Sequence, residues 1–237
     1  MLCLEGVSHA YDGRRVLDGI DLELPEHRIG VIGANGSGKS TLARTLNGLV
    51  LPDEGRVWLG EWNTHRHARQ IRRRVGFVFS DAANQIIMPT VAEDVEIGLR
   101  PLKLGRTETE HRVDRILERY GLADHRDHPA HLLSGGQRQM LALASVLATE
   151  PEVLVCDEPT TLLDRRNTRM VHRVLDTLEQ CVVLFTHDLD LLADFDRVLV
   201  MDGGRVVHDG APAEGIAFYT RLMDQTPAIP DPPGGST

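Results

Sequence analysis

The segment Gly33-Ala34-Asn35-Gly36-Ser37-Gly38-Lys39-Ser40 constrains this chain more than any other feature. It has the pattern G-x-x-x-x-G-K-S and stands between an apolar run, Arg28-Ile29-Gly30-Val31-Ile32, and a helical pattern over 39–48. Strand, glycine-rich loop and helix in that order make an anion nest. The glycines let successive backbone N–H groups turn inward, and the helix start adds its positive dipole end. Lys39 is expected to reach the terminal phosphates of a nucleoside triphosphate, and the Ser40 hydroxyl to ligate Mg²⁺. Ala34, Asn35, Ser37 and Thr41 complete the expected phosphate-binding set.

Other short runs rich in Val and Leu read as strands buried on both faces: Val75-Gly76-Phe77-Val78-Phe79, Val153-Leu154-Val155-Cys156 and Val182-Val183-Leu184-Phe185. They alternate with helical patterns over 107–120, 135–149, 165–180 and 213–223, which implies a mainly parallel sheet with helices on both sides. Ile20-Asp21-Leu22-Glu23-Leu24 alternates like a half-buried strand, and Asp202-Gly203-Gly204 is a hairpin turn. An antiparallel edge built from the first strands and the last hairpin is expected. Residues 81–149 carry almost no strand signal and read as a helical subdomain inserted between core segments 1–80 and 150–223. The Pro/Gly-rich stretch 224–237 cannot bury enough to order itself and is expected to be a disordered tail.

Composition narrows the class. Lys and Arg number 26 against 35 Asp and Glu, a net charge of −9 that argues against a phosphate-backbone binder. With 5 Phe, 3 Tyr and 2 Trp there is no base-stacking platform, so no nucleic-acid partner is expected. Three scattered cysteines make no metal or disulfide framework, and Cys156 reads as a small core residue. The most apolar stretch, 140–148, is far short of the roughly 20 residues of a membrane helix, and no secretory signal is expected at the start.

A second site element is the pair Asp157-Glu158 at the end of the run Val153 to Cys156. A carboxylate there faces the crevice where α/β sheets bind ligands, so Asp157 is expected to hold Mg²⁺ and Glu158 to polarise an attacking water as general base. A third is Leu133-Ser134-Gly135-Gly136-Gln137, a helix start with Ser134 as N-cap and two glycines that leave its backbone open to an anion.

With Leu-Ser-Gly-Gly-Gln in place, the chain resembles the ATP-binding-cassette (ABC) ATPases, from about residue 2 to 223. Tyr11 matches the aromatic that stacks on adenine, Thr161-Leu162-Leu163-Asp164 matches the D-loop, and His187 matches the switch histidine. The resemblance implies a P-loop NTPase fold, ATP and Mg²⁺ as cofactors, and two cassettes joined head to tail, with a homodimer workable. Ser134, Gly135, Gly136 and Gln137 would then act on the partner's ATP, while His187 would sense the γ-phosphate. One position departs: Ser80 stands where the family usually has a metal-contacting glutamine. Ser80 is expected to contribute through a water, and Gln85 is not expected to take over.

Ser80 to Val95, including Thr90-Val91-Ala92-Glu93-Asp94-Val95, looks like the loop and acidic helix of energy-coupling-factor (ECF) and cobalt-type importers. Ile87-Met88-Pro89-Thr90 and 124–131 look most similar to the biotin importer's ATPase subunit, with cobalt or nickel import as the rival. That implies a transmembrane coupling subunit and a substrate-binding membrane subunit as partners, and a peripheral place on the cytoplasmic face of the membrane. Glu93, Asp94 and Glu96 are expected to face basic coupling helices. A soluble ABC ATPase of DNA repair, translation or cluster assembly is the alternative of another class; the single cassette, lack of heptads and acidic balance speak against it. His125, His128 and His131 read as solvated or hydrogen-bonding side chains because Pro129 interrupts any helix that would align them. Arg66, Arg69, Arg72, Arg73 and Arg74 read as a solvated helix face.

Overall fold

The computed structural model describes residues 1–225; the expected tail lies outside them except for Asp224 and Gln225, which belong to the last helix. In chain order the strands are β1 (Leu2–Tyr11), β2 (Arg14–Leu24), β3 (Arg28–Gly33), β4 (Glu54–Leu59), β5 (Trp62–Asn63), β6 (Val75–Val78), β7 (Val153–Asp157), β8 (Cys181–Phe185), β9 (Arg197–Asp202) and β10 (Arg205–Gly210). The helices are α1 (Lys39–Leu46), α2 (Thr64–Arg74), α3 (Val91–Leu99), α4 (Arg106–Arg119), α5 (Gly135–Leu147), α6 (Arg165–Asp176) and α7 (Pro212–Gln225).

The main sheet has the order β10-β9-β3-β8-β7-β6, parallel throughout except for the β9–β10 hairpin. Its strands are apolar at nearly every position because both faces are covered. Ile29, Val31, Val153, Val155, Val183, Phe185, Leu199 and Met201 point into one core, while Ile32, Leu154, Cys156, Val182, Leu184, Val198 and Val200 point into the other. This period of two splits each run between two cores. Parallel strands also end on one edge, so Gly33, Asp157 and the residues after Phe185 meet along one crevice.

One expectation needs correction. The first strands are not an edge of the main sheet but form a second, antiparallel sheet with the order β2-β1-β4-β5. Only β10 is an antiparallel edge of the main sheet. The second sheet closes through Leu4↔Val57 and Cys3↔Trp58, a pairing of β1 with a strand beyond α1 that no local pattern announces. Its inner face (Leu2, Leu4, Val7, Leu17, Ile20, Val57, Leu59) packs with Leu42 and Leu46 of α1 and one face of the main sheet. The helix beginning the signature segment is thereby left to the other core, with α3 and α4.

Residues 81–149 contain helices and 3₁₀ turns, and among the described residues their one β-type contact is an isolated bridge between Thr90 and Pro129. Helices α1 and α5 end two residues short of the sequence pattern, at Leu46 and Leu147, and α6 ends four short, at Asp176, where Thr177 and Leu178 close tight turns back onto Val174 and Leu175.

Candidate functional site

The glycine-rich loop leaves β3 at Gly33 and enters α1 through Gly38, whose φ of 101° lies in the left-handed region that glycine alone adopts easily. Gly33 is fixed for another reason: a Cβ there would lie 2.3 Å from the Met201 carbonyl oxygen. The loop is therefore pressed against β9, and the Gly204 N–H donates to Ser37 O. The first amides of α1 have no partner within the helix, and the hydroxyl of Ser37 is buried without one. Both observations suit an anion seated on the loop.

Lys39 is buried. Its Nζ donates to Gly33 O at 2.7 Å and Ala34 O at 3.1 Å and lies 3.8 Å from Glu158 Oε1. Burial lowers its pKa, an effect opposed by the nearby Glu158 and Asp157 carboxylates. The ammonium expected at the terminal phosphates is thus folded back on its own loop, where carbonyls and a carboxylate compensate its lost hydration.

The Ser40 hydroxyl donates to Asp157 Oδ1 at 2.9 Å. Asp157 is buried at the end of β7, and burial raises its pKa. A hydroxyl oxygen and a carboxylate side by side are the hard oxygen donors that Mg²⁺ accepts. Next to it, Glu158 takes a φ of 53°, uncommon for a residue with a side chain, and its N–H donates to Phe185 O. That turn brings Oε2 within 2.9 Å of Thr161 Oγ1, which donates to it, and within 3.3 Å of His187 Nδ1. His187, Thr161 and Lys39 thus converge on the carboxylate of Glu158.

Tyr11, Asn35, Gly36, Gly38, Lys39, Ser40, Thr41 and Glu158 line one cavity of about 500 Å³. Tyr11 sits on its rim, 44% exposed, with its ring edge-on to His9 at 4.7 Å. Ser134 to Gln137 lie elsewhere, at the start of α5. Ser134 caps this helix: its Oγ accepts from the Gln137 N–H at 3.3 Å while Gln137 Oε1 accepts from the Ser134 N–H at 2.9 Å. Gly135 faces open space, whereas a Cβ on Gly136 would meet Asn167 of α6. None of the four lines the cavity of its own chain.

Ser80 follows β6, half-buried. Gln85 turns back towards that strand, and its amide is spent there: Oε1 accepts from Phe79 N–H at 3.0 Å and Nε2 donates to Phe77 O at 3.3 Å. The next segment forms a groove of about 340 Å³ with Ala83, Ile86, Ile87, Met88, Pro89, Ala130, His131 and Arg138 on its walls. Ile87 at 68% and Leu132 at 70% exposure stand out as apolar surface. Asp94, expected to face a partner, is instead buried. Its Oδ1 accepts from the Ile87 and Met88 N–H groups at 2.9 and 3.1 Å, and its Oδ2 from Ser145 Oγ at 2.9 Å. Glu93 spends its carboxylate on the capping box with Thr90; it and Glu96 are exposed. Of the histidines, His125 and His128 hydrogen bond to each other, and no cluster of metal-ligating side chains exists among the described residues. In the basic run, Arg74 stacks on Trp62 at 3.8 Å and pairs with Glu152, while Arg72 donates to Gly48 O; the five arginines are exposed.

Comparison with known proteins decides the family. The sequence pattern described as ABC transporter matches residues 17–161. The chain belongs to the ABC transporter ATP-binding family. This ABC ATPase is 50% identical over 223 residues to a Deinococcus radiodurans protein described in general terms as an ABC transporter ATP-binding protein, covering 94% of this chain and 99% of that one. It is 43% identical to a biotin transport ATP-binding protein of Rhizobium etli, over 92% and 97% of the two chains. It is 42% identical to an energy-coupling factor transporter ATP-binding protein of Symbiobacterium thermophilum, over 95% and 85%. Among solved structures, CbiO1 of Clostridium perfringens, part of the ABC transporter complex CbiONQ, superposes with a TM-score of 0.80 at 34% identity, over 94% and 93%. The chain is an ATPase of the energy-coupling-factor type, coupled to transport.

The matched span holds the glycine-rich loop, the signature and Asp157-Glu158 but neither Tyr11 nor His187, so these two stand on their geometry. Several cavity residues of this ABC ATPase escaped sequence reasoning: Arg14, Arg15 and Val16 from the start of β2, and Gly203 and Gly204 from the β9–β10 turn. Arg14 was within reach, because the Asp12-Gly13 turn pairs it directly with Tyr11. Thr161 was visible as a D-loop residue, yet its bond to Glu158 depends on the left-handed turn that no pattern encodes.

Proposed function

We propose that this ABC ATPase energises an ECF-type vitamin importer with biotin as its cargo. It does so as one of two copies that sandwich ATP at the cytoplasmic face of a membrane. The observation that carries the importer reading is the apolar groove around Ile87, held open by a buried carboxylate and flanked by exposed Leu132. Exposed apolar side chains set on a rigid seat suit a helix of a transmembrane coupling subunit. No helix among the described residues is long and apolar enough to cross a membrane itself, so this reading needs a spanning partner. Relatives in Rhizobium etli and Rhodobacter capsulatus, 43% and 40% identical, are described as biotin transport ATP-binding proteins, which supports biotin.

In this reading Tyr11 receives adenine and the loop 33–41 receives the phosphates. Ser40 and Asp157 hold Mg²⁺, which when bound screens charge on the phosphate oxygens. Ser80, in the loop after β6, would contribute to the same ion through a water. Glu158 takes the proton from the attacking water, and Thr161 and His187 hold its Oε2 so that Oε1 is left towards the cavity for that task. Ser134, Gly135, Gly136 and Gln137 complete the nucleotide site of the second copy, consistent with their separation from their own cavity.

Uptake by cells carrying this chain with its coupling and substrate-binding membrane subunits tests the reading. Labelled biotin should accumulate with the wild type and not with Lys39→Ala. Accumulation of Co²⁺ or Ni²⁺ with no biotin uptake would replace the cargo. ATP turnover stimulated by nucleic acid in place of membrane subunits would replace the importer.

A further inference from the structure

His125 and His128, before the signature segment, make contacts outside the nucleotide cavity. Gln137 uses its side-chain oxygen to accept from the Ser134 N–H, which points its amide nitrogen away, towards His125. There Gln137 Nε2 lies 2.7 Å from His125 Nε2. An amide NH₂ can only donate, so Nε2 of His125 must accept, and a neutral imidazole that accepts at Nε2 carries its proton on Nδ1. Nδ1 of His125 lies 3.3 Å from Nδ1 of His128, with the rings 5.0 Å apart. The proton on His125 therefore points at His128, which accepts. The chain of bonds has one direction: Gln137 to His125 to His128.

The turn that holds both rings is itself fixed. His128 N–H donates to His125 O, and the turn's carbonyls at Arg126 and His128 accept from Ala92 and Val91 at the start of α3. Ala130 N–H donates to Pro89 O. His125 is thus anchored by backbone, and the Gln137 side chain is the movable partner. Without an acceptor at His125, the Gln137 amide loses the contact that holds its oxygen on Ser134, and the capping box of the signature helix loosens.

We propose that His125 is a positioning residue for the signature loop, holding Gln137 as an obligate hydrogen-bond acceptor so that Ser134 to Gln137 are set for the second copy's ATP. This rests on the reading that those four residues act across a dimer.

The test uses the full chain with Glu158→Gln. ATP-driven dimerisation is read by sedimentation velocity, and nucleotide binding to the single chain by a fluorescent ATP analogue. His125→Gln, which can offer an oxygen close to the original Nε2 position, should dimerise within about twofold of the parent. His125→Lys, a donor only, and His125→Ala should need about tenfold more protein to dimerise. All three should bind the analogue like the parent, because His125 is remote from its own chain's cavity. Equal dimerisation by His125→Lys and His125→Gln, both with parental melting temperatures, overturns the proposal. Ser134→Arg, which blocks the signature helix start directly, separates the two layers. Normal dimerisation of that variant overturns the trans reading and with it the role of His125. Failure of Ser134→Arg alone, with every His125 variant normal, overturns only the role of His125.

Discussion

The Ser40 hydroxyl and the Asp157 carboxylate are 117 residues apart in sequence and 2.9 Å apart in the fold. The contact joins the start of α1 to the end of β7 and places two oxygen donors where the phosphate loop opens. It exists at a cost, because Asp157 is buried and its carboxyl holds its proton more tightly than an exposed one. A carboxyl with a raised folded-state pKa makes the fold lose stability as pH climbs from the ordinary carboxylate range through the raised value, and the loss is complete above it. Asn keeps the acceptor for Ser40 and removes the charge. Asp157→Asn is therefore expected to raise the melting temperature of the nucleotide-free chain at pH 7.5 by about 2–4 °C, with the gain fading in acid. The same variant should lose Mg²⁺-dependent ATP hydrolysis by at least about 100-fold. A lower melting temperature at neutral pH would contradict the burial argument.

Glu158 invites a different substitution. Its Oε2 takes a hydrogen bond from Thr161 and lies beside His187, which leaves Oε1 towards Lys39 and the cavity. Glu158→Gln preserves size and hydrogen bonding but cannot take up a proton. Steady-state ATP turnover should fall by about 10²–10⁴-fold while ATP still binds, measured by phosphate release and by nucleotide titration. Undiminished turnover would remove Glu158 as the general base.

Two glycines should respond in opposite ways. A Cβ at Gly33 would press on the Met201 carbonyl, which belongs to a strand and cannot swing aside, whereas Gly135 faces open space. Gly33→Ala is expected to cost about 1–3 kcal/mol of stability, seen as a lower denaturation midpoint. Gly135→Ala should melt like the wild type, and any loss it shows should appear in ATP-driven dimerisation alone.

Much of this was legible in sequence because the motifs are local: loop, helix and strand follow one another within 28–48, and Asp157-Glu158 closes an apolar run. The second sheet was not, since β1 pairs with β4 across the whole of β2, β3 and α1, and its strands carry Gly6 at positive φ and irregular register between Leu4 and Ala10. Asp94 was misread although a signal was present. Val91, Val95 and Leu99 bury one stripe of α3, and Asp94 lies three residues after Val91 and one before Val95, on that same face. Its place between exposed Glu93 and Glu96 hid a buried acid inside an acidic helix.

The acidic helix therefore separates into structural and surface positions. Asp94 satisfies two backbone N–H groups and the Ser145 hydroxyl, so Asp94→Ala leaves three part-buried donors without their acceptor and should cost about 1–3 kcal/mol, read as a lower denaturation midpoint. The seat of Ile87 and Met88 loosens with it, and co-purification with the membrane subunits should fail. Glu96→Lys changes an exposed side chain and should leave the melting temperature within about 1 °C. Normal assembly of Asp94→Ala would mean that the groove is not where the partner docks.

Ser80 offers the sharpest contrast with Gln85. Gln85 holds the end of β6 by bonding the Phe79 N–H and the Phe77 carbonyl, so its side chain is committed to that strand. Gln85→Ala leaves those backbone groups to water and should weaken assembly with the membrane subunits more than it changes basal hydrolysis. Ser80 carries no such duty at the strand end. Ser80→Gln should shift coupling between ATP turnover and uptake modestly, with basal turnover within about twofold, because a hydroxyl acting through one water is energetically close to a direct side-chain contact. A large rise in basal turnover on Ser80→Gln would mean that serine leaves the metal under-coordinated, and that this position limits the chemistry.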